Sequence, residues 1–166
     1  GPTTQPDGLH PMTEVTQLLT TRFGAVEYHA DDVIEFRQGL IGFPDLQSFL
    51  VLQHKEGSPF RWLQSIDDPA VAFLMTEPLI YCPDYAPDLD ERTATELEIS
   101  EETARLVFCL VTIPKGQPEA MTLNLAGPIL INAENKRAKQ VVLEDPRYEI
   151  KYSPNSGSNS AEPAAA

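Results

Sequence analysis

The apolar positions of this chain fall in short runs, rich in Val, Ile, Phe and Thr and separated by Pro, Gly or Asp. That pattern predicts a mainly antiparallel β protein. "FGAVEY" and "DVIEF" read as early strands, followed by a turn at "RQGLIGFPDL". In "FRWLQSI", Phe60, Trp62 and Ile66 alternate with Arg61 and Ser65, the period of a half-buried strand. "AVAFLMT", "RLVFCLVTI", "GPILIN" and "KQVVLED" complete the set. Residues 106–113 are apolar at consecutive positions, which predicts a central strand covered on both faces. A buried helix would give the same run, but the β-branched content and the stop at Pro114 argue for a strand. Brief helical turns are expected at "PDLQSF" and at "SEETA", where Ser100 would cap an acidic first turn. About six to nine short strands in one domain fit an antiparallel β-barrel-like fold or a sandwich.

Composition sets the limits of that domain. The chain has 166 residues and 42% hydrophobic content, enough for one real core. No apolar run approaches the roughly 20 residues of a membrane span, and "GPTTQPDGLHP" has neither a charged nor an apolar leader region. A cytoplasmic protein is the expectation. Gly1 and Pro2 resemble a protease scar, so residues 1–11 read as a tag, 12–152 as the β domain and 153–166 as a flexible polar tail. Cys82 and Cys109 are too few for a disulfide framework, and Cys109 reads as a small core hydrophobe.

The formal charge of −13 changes the picture most, because nucleic-acid binding draws on Lys and Arg that neutralise phosphates. This chain would repel RNA and DNA. The charge is also uneven: residues 67–102 hold eleven acids against one base, Arg92. Such a stretch would steer a basic partner toward it.

Candidate chemistry is thin. "DDP" at Asp67, Asp68 and Pro69 reads as a turn rather than a carboxylate pair. His10 lies in the expected tag, His29 and His54 read as strand-end surface residues, and no serine or cysteine nucleophile motif is present. "DYAPDLDE" has acids at 84, 88, 90 and 91 but lacks the glycine and terminal glutamate spacing of a calcium loop. "GLIGF" lacks the remaining signature of a phosphate loop and reads as a turn needing positive φ at Gly39 or Gly42. No metal or cofactor site and no catalytic residue is expected. "YCPDYAPDL" has two readings: a rigid epitope in which Pro83 and Pro87 stiffen Tyr81 and Tyr85, or a proline-rich loop whose tyrosines cover the barrel edge.

Several segments resemble the flagellar assembly factor family FliW in order and spacing: "WLQSIDDP", "PDYAPDL", "TIP" followed by "MTLNL", and "PILIN" before "KQVVLED". The resemblance runs from about residue 21 to 152. Departures are Ile41 where the family commonly has Pro, Cys82 where it has an aromatic, and Gly127 where it has Ala. The resemblance implies a small non-enzymatic β-barrel protein that exchanges partners. It would bind the basic mRNA-binding dimer CsrA, relieving repression of flagellin translation, and would release CsrA when flagellin accumulates and captures it. With the charge cluster, it sets the expected CsrA face at Asp67, Asp68, Asp84, Asp88 and Asp90, with Tyr85 and Phe43 as apolar anchors. For flagellin the expected site is a groove near Trp62, Asn124 and Asn132, although Trp62 at such a position is more often core. A monomer is expected when free. The rival readings are a chaperone that holds flagellin alone, and an enzyme or small-ligand carrier on the same barrel.

Overall fold

The computed structural model describes residues 14–155. The expected tag at 1–11, and the tail from 156 onward, lie outside the described residues. The hairpin of β1 (Thr16–Thr20) and β2 (Gly24–Tyr28) forms a small sheet of its own. The main sheet contains β3 (Ile34–Phe36), β4 (Ser48–Gln53), β5 (Phe60–Ser65), β6 (Ala72–Thr76), β7 (Arg105–Thr112), β8 (Thr122–Leu123), β9 (Ile129–Asn132) and β10 (Arg137–Gln140). Its order is β6-β5-β4-β3-β10-β9-β7-β8, and a further β6–β7 pairing closes seven of these strands into a barrel. Closure removes the sheet edges that an open sheet would expose. All the barrel pairings are antiparallel except β3 with β10.

β7 explains why residues 106–113 are apolar without alternation. Phe108 points into the barrel with Phe36, Phe49, Leu63, Met75, Ile129 and Ile131. Cys109 and Val111 face outward into a second core with Tyr85, Met121, Leu123 and Leu125. The strand is thus a wall between two cores, as its composition predicts, although Leu106 and Ile113 at its ends are exposed. β9 is buried throughout for the same reason, with Leu130 turned outward onto Leu97, Ile99 and Val141.

The helices are not where the sequence reading puts them. Residues 44–47 are a turn leading directly into β4, and residues 100–103 are a turn. Among the described residues the α-helices within the domain are α1 (Pro78–Tyr81) and α2 (Glu91–Leu97), with short 3-10 turns at Ala30–Asp32 and Pro118–Ala120. α2 is capped by Asp90, whose carboxylate accepts the Thr93 N–H at 2.7 Å, and it ends at Glu98 in the left-handed region. An N-terminal cap three residues ahead of a hydrogen-bonded backbone N–H is a signal the sequence carried at "DERT". The last strand also starts earlier than "KQVVLED". Its ladder stops because Val141 lies opposite Pro128, which accepts the Val141 N–H but has none to return. Tyr152 pairs with Leu123 in both directions, and the Asn155 amide donates to the Glu119 carbonyl at 3.0 Å.

Candidate partner-binding surface

Residues 37–47 form a tight turn built to present two apolar side chains. Gly39 has φ +67°, and a Cβ there would meet the Phe43 carbonyl oxygen at 2.5 Å, so a glycine is required. Leu40 and Phe43 exchange backbone hydrogen bonds at 3.2 and 2.7 Å, and the Leu40 side chain is buried in the barrel core. The Ile41 N–H donates to Gln140 Oε1 at 2.9 Å, a bond a proline at this position would lack. Phe43 lies edge-on to Phe73 with ring centroids 5.2 Å apart. The result is a fixed tip on which Ile41 is 57% exposed and Phe43 42% exposed. Phe43 is exposed here, as an anchor would have to be; Ile41 was read in the sequence only as a departure from the family's usual Pro, although its place between two glycines was a signal.

The expected acids divide among different supports. Asp67 and Asp68 lie in the β5–β6 turn at the base of this loop. Asp67 Oδ2 accepts the Gln47 and Ser48 N–H groups at 2.7 and 2.8 Å. Asp68 Oδ1 accepts the Ala70 N–H at 3.1 Å, and Ser65 Oγ accepts the Asp68 N–H at 2.9 Å, so "DDP" is the turn its sequence indicates. Asp90 lines a shallow cleft with Gly39, Leu40 and Ile41. The Thr93 N–H bond holds its carboxyl below the usual carboxylate range. Asp84 and Asp88 are exposed on the segment between the helices, and that segment bonds to Leu125 and Tyr148 rather than to the turn. The five acids therefore do not share one support. Part of the surrounding charge is also balanced, with Lys139 on Glu96 and Arg137 on Glu98, both at 2.7 Å.

Tyr85 corrects the reading of an exposed anchor. It is 5% exposed, its hydroxyl donates to the Leu125 carbonyl at 2.6 Å, and its ring meets Tyr148 edge-on at 4.7 Å. Burial pushes its phenol well above the usual range. The proline-rich segment is thus a cover over the barrel's outer core, held down by Tyr85. The expected flagellin triad is also not assembled. Asn132 is 2% exposed, its amide donates to the Leu97 carbonyl at 2.7 Å, and its oxygen accepts the Glu134 N–H at 2.8 Å, which makes it a buried connector. Asn124 is half-buried and its side-chain oxygen accepts the Ala126 N–H at 3.1 Å. Trp62 is half-buried beneath the hairpin turn, with Phe23 edge-on at 5.6 Å and the Arg22 guanidinium 4.5 Å from its ring centre. Leu63, not Trp62, is the β5 residue that fills the barrel core.

The groups whose acidity is most shifted are not poised for catalysis. Burial pushes the Cys109 thiol up to about 12, and it raises the Tyr81 phenol as well. The shifted carboxyls, those of Asp90, Glu96 and Asp145, are all lowered by hydrogen bonds and nearby cations. Among the described residues, no three His, Cys, Asp or Glu side chains gather as metal ligands, and no helix is long and apolar enough to cross a membrane.

Comparison with known proteins bears on this whole assembly. The family described as FliW protein matches residues 17–154. A flagellar assembly factor FliW from Caldanaerobacter subterraneus is 42% identical over 82% of this chain and 91% of its own length. One from Thermoanaerobacter pseudethanolicus is 41% identical over the same shares. A crystal structure of the flagellar assembly factor FliW superposes with a TM-score of 0.77 at 34% identity, covering 84% of this chain and 96% of that one. The barrel, its outer cover and the loop at 37–47 all lie within the matched residues, and the chain belongs to the FliW family of flagellar assembly factors.

Proposed function

We propose that this chain works by holding protein partners in turn, without catalysis or a cofactor, in the cytoplasm. In this reading it captures CsrA and keeps it from repressing flagellin translation, and flagellin, once abundant, takes its place. The observation that carries the reading is the loop at 37–47, a rigid turn that exposes Ile41 and Phe43 beside the carboxylates of Asp67 and Asp68. An apolar tip held in one conformation loses little entropy when it docks, and the flanking acids and a net charge of −13 favour a basic partner. Asp90 borders the loop across the cleft it shares with Ile41, while Asp84 and Asp88 contribute to the long-range field rather than to the contact itself. The flagellin half of the reading rests on family resemblance alone, since Trp62, Asn124 and Asn132 have other occupations.

The test is a titration with purified CsrA across ionic strength. Affinity should fall as salt rises, and Phe43→Ala should weaken it by about 2 kcal/mol, roughly thirtyfold. Affinity indifferent both to salt and to Phe43→Ala would remove the reading. Binding of flagellin without any binding of CsrA would select the dedicated flagellin chaperone instead.

A further inference from the structure

A second apolar surface lies away from the loop at 37–47. α1, the segment at 85–89 and the outer side of β7 and β9 enclose a groove of about 340 Å³. That is at the lower end of the roughly 300–1,000 Å³ typical of ligand pockets. Its floor is fixed. Leu130 is buried against α2, and Tyr85, which also lines the groove, is tied by its hydroxyl to Leu125. Its walls are not covered: Leu79 of α1 is 56% exposed and Leu106 of β7 is 45% exposed. Two exposed leucines at the mouth of one apolar groove give an incoming side chain apolar surface to cover.

The charges at its edge select the occupant. Glu77 and Asp88 line the groove, are exposed, and enter no salt bridge among the described residues. Arg105, the cation in the lining, is engaged instead, donating to the Ser100 and Thr103 carbonyls. The edge therefore offers two carboxylates to whatever fills the apolar centre. We propose that this groove is a docking site for a short apolar segment of another protein that carries Lys or Arg beside its apolar anchors. The groove is too small for a whole domain and shaped for a few anchoring side chains, with the cationic flanks pairing to Glu77 and Asp88. This inference stands apart from the loop at 37–47 and does not depend on it.

The probe is a short fluorescein-labelled peptide with two leucines one helical turn apart, flanked by lysines, titrated into the full chain and followed by anisotropy. Two control peptides replace the leucines by alanine or the lysines by glutamate. The lysine-leucine peptide should bind, each control about tenfold more weakly. Leu79→Glu, and Glu77→Lys with Asp88→Lys, should each weaken the parent peptide by at least about tenfold. Leu79 is exposed, so its variant should retain the parent's thermal transition. Amide shift mapping on the unmutated chain provides a reading independent of any variant, with changes expected at Leu79, Leu89, Leu106 and Leu130. Unchanged binding to Leu79→Glu, equal binding of the glutamate-flanked peptide, or shifts confined elsewhere would overturn the proposal. So would a dimer of this chain that Leu79→Glu dissolves, since the groove would then be an interface between copies. Titrating Leu79→Glu with CsrA separates the two proposals, because its affinity should match the parent's if only the groove has been damaged.

Discussion

Replacing Tyr85 by Phe removes one oxygen atom and leaves the ring in place. The hydroxyl donates to the Leu125 carbonyl at 2.6 Å in the outer core. A hydrogen bond of this kind contributes about 1 kcal/mol net, and a buried acceptor left without a donor costs about 1–3 kcal/mol. The packing of the ring against Tyr148 and Cys109 is unchanged, so no cavity contribution is added. Tyr85→Phe should therefore lose about 2 kcal/mol of stability. For a chain of this length each kcal/mol lowers Tm by about 2–4 °C, giving a fall of about 4–8 °C. Urea unfolding followed by tryptophan fluorescence and far-UV circular dichroism measures the first quantity, and a thermal scan the second. CsrA affinity, measured where the variant is fully folded, should equal the parent's. A variant as stable as the parent but with CsrA affinity reduced tenfold would refute the argument, because it would make Tyr85 a contact residue rather than a fastening of the 85–89 segment.

Other consequences follow from the same packing. Because burial raises the Tyr85 phenol above its unfolded value, its contribution to stability is complete below about pH 10 and is lost as pH rises beyond that toward the folded value. Stability should fall less steeply at alkaline pH in Tyr85→Phe than in the parent, the remaining loss coming from Cys109 and Tyr81, which burial raises as well. Asn132→Ala should cost about 1–3 kcal/mol, since it removes the shorter of two amide bonds to the Leu97 carbonyl and the acceptor of the Glu134 N–H, and should change partner binding only through unfolding, checked by urea titration alongside a pull-down. Cys82 is half-buried and Cys109 fully buried, with its thiol pushed up to about 12, so a thiol reagent at neutral pH should label one cysteine in the native chain and the second only after denaturant is added. Asp90→Asn should keep α2 capped and leave Tm near the parent's, whereas Asp90→Ala should lower Tm.

The barrel was legible because its signals are local and repeated. Short β-rich runs broken by Pro, Gly and Asp gave the strands, and the uninterrupted run at 106–113 gave the wall between two cores. The β1, β4 and β8 strands were missed, β8 because it is two residues long and β1 because Thr16, Gln17 and Thr20 dilute its apolar positions. "SFLVLQ" was obscured by the helical turn expected at "PDLQSF", and the pairing of β4 with β3 and β5 overrides that local preference. The roles of polar residues were the least legible. Asp67 reads as a local turn residue and Asn132 as an amide free to hold a peptide, yet each satisfies backbone groups from a distant segment. Tyr85 failed for the same reason: its partners are Leu125 and Tyr148, far along the chain and invisible to periodicity. The turn that carries Phe43 was legible because Gly39 and Gly42, both at positive φ, lie close to it in sequence.

The most direct test of partner exchange is one calorimetric experiment, in which CsrA is titrated into this protein alone and then into the protein saturated with flagellin. The account predicts salt-sensitive binding to the free protein, reduced in the parallel Phe43→Ala titration, and markedly weaker binding once flagellin is bound. CsrA binding of equal strength with and without flagellin, or no CsrA binding at all, would contradict it.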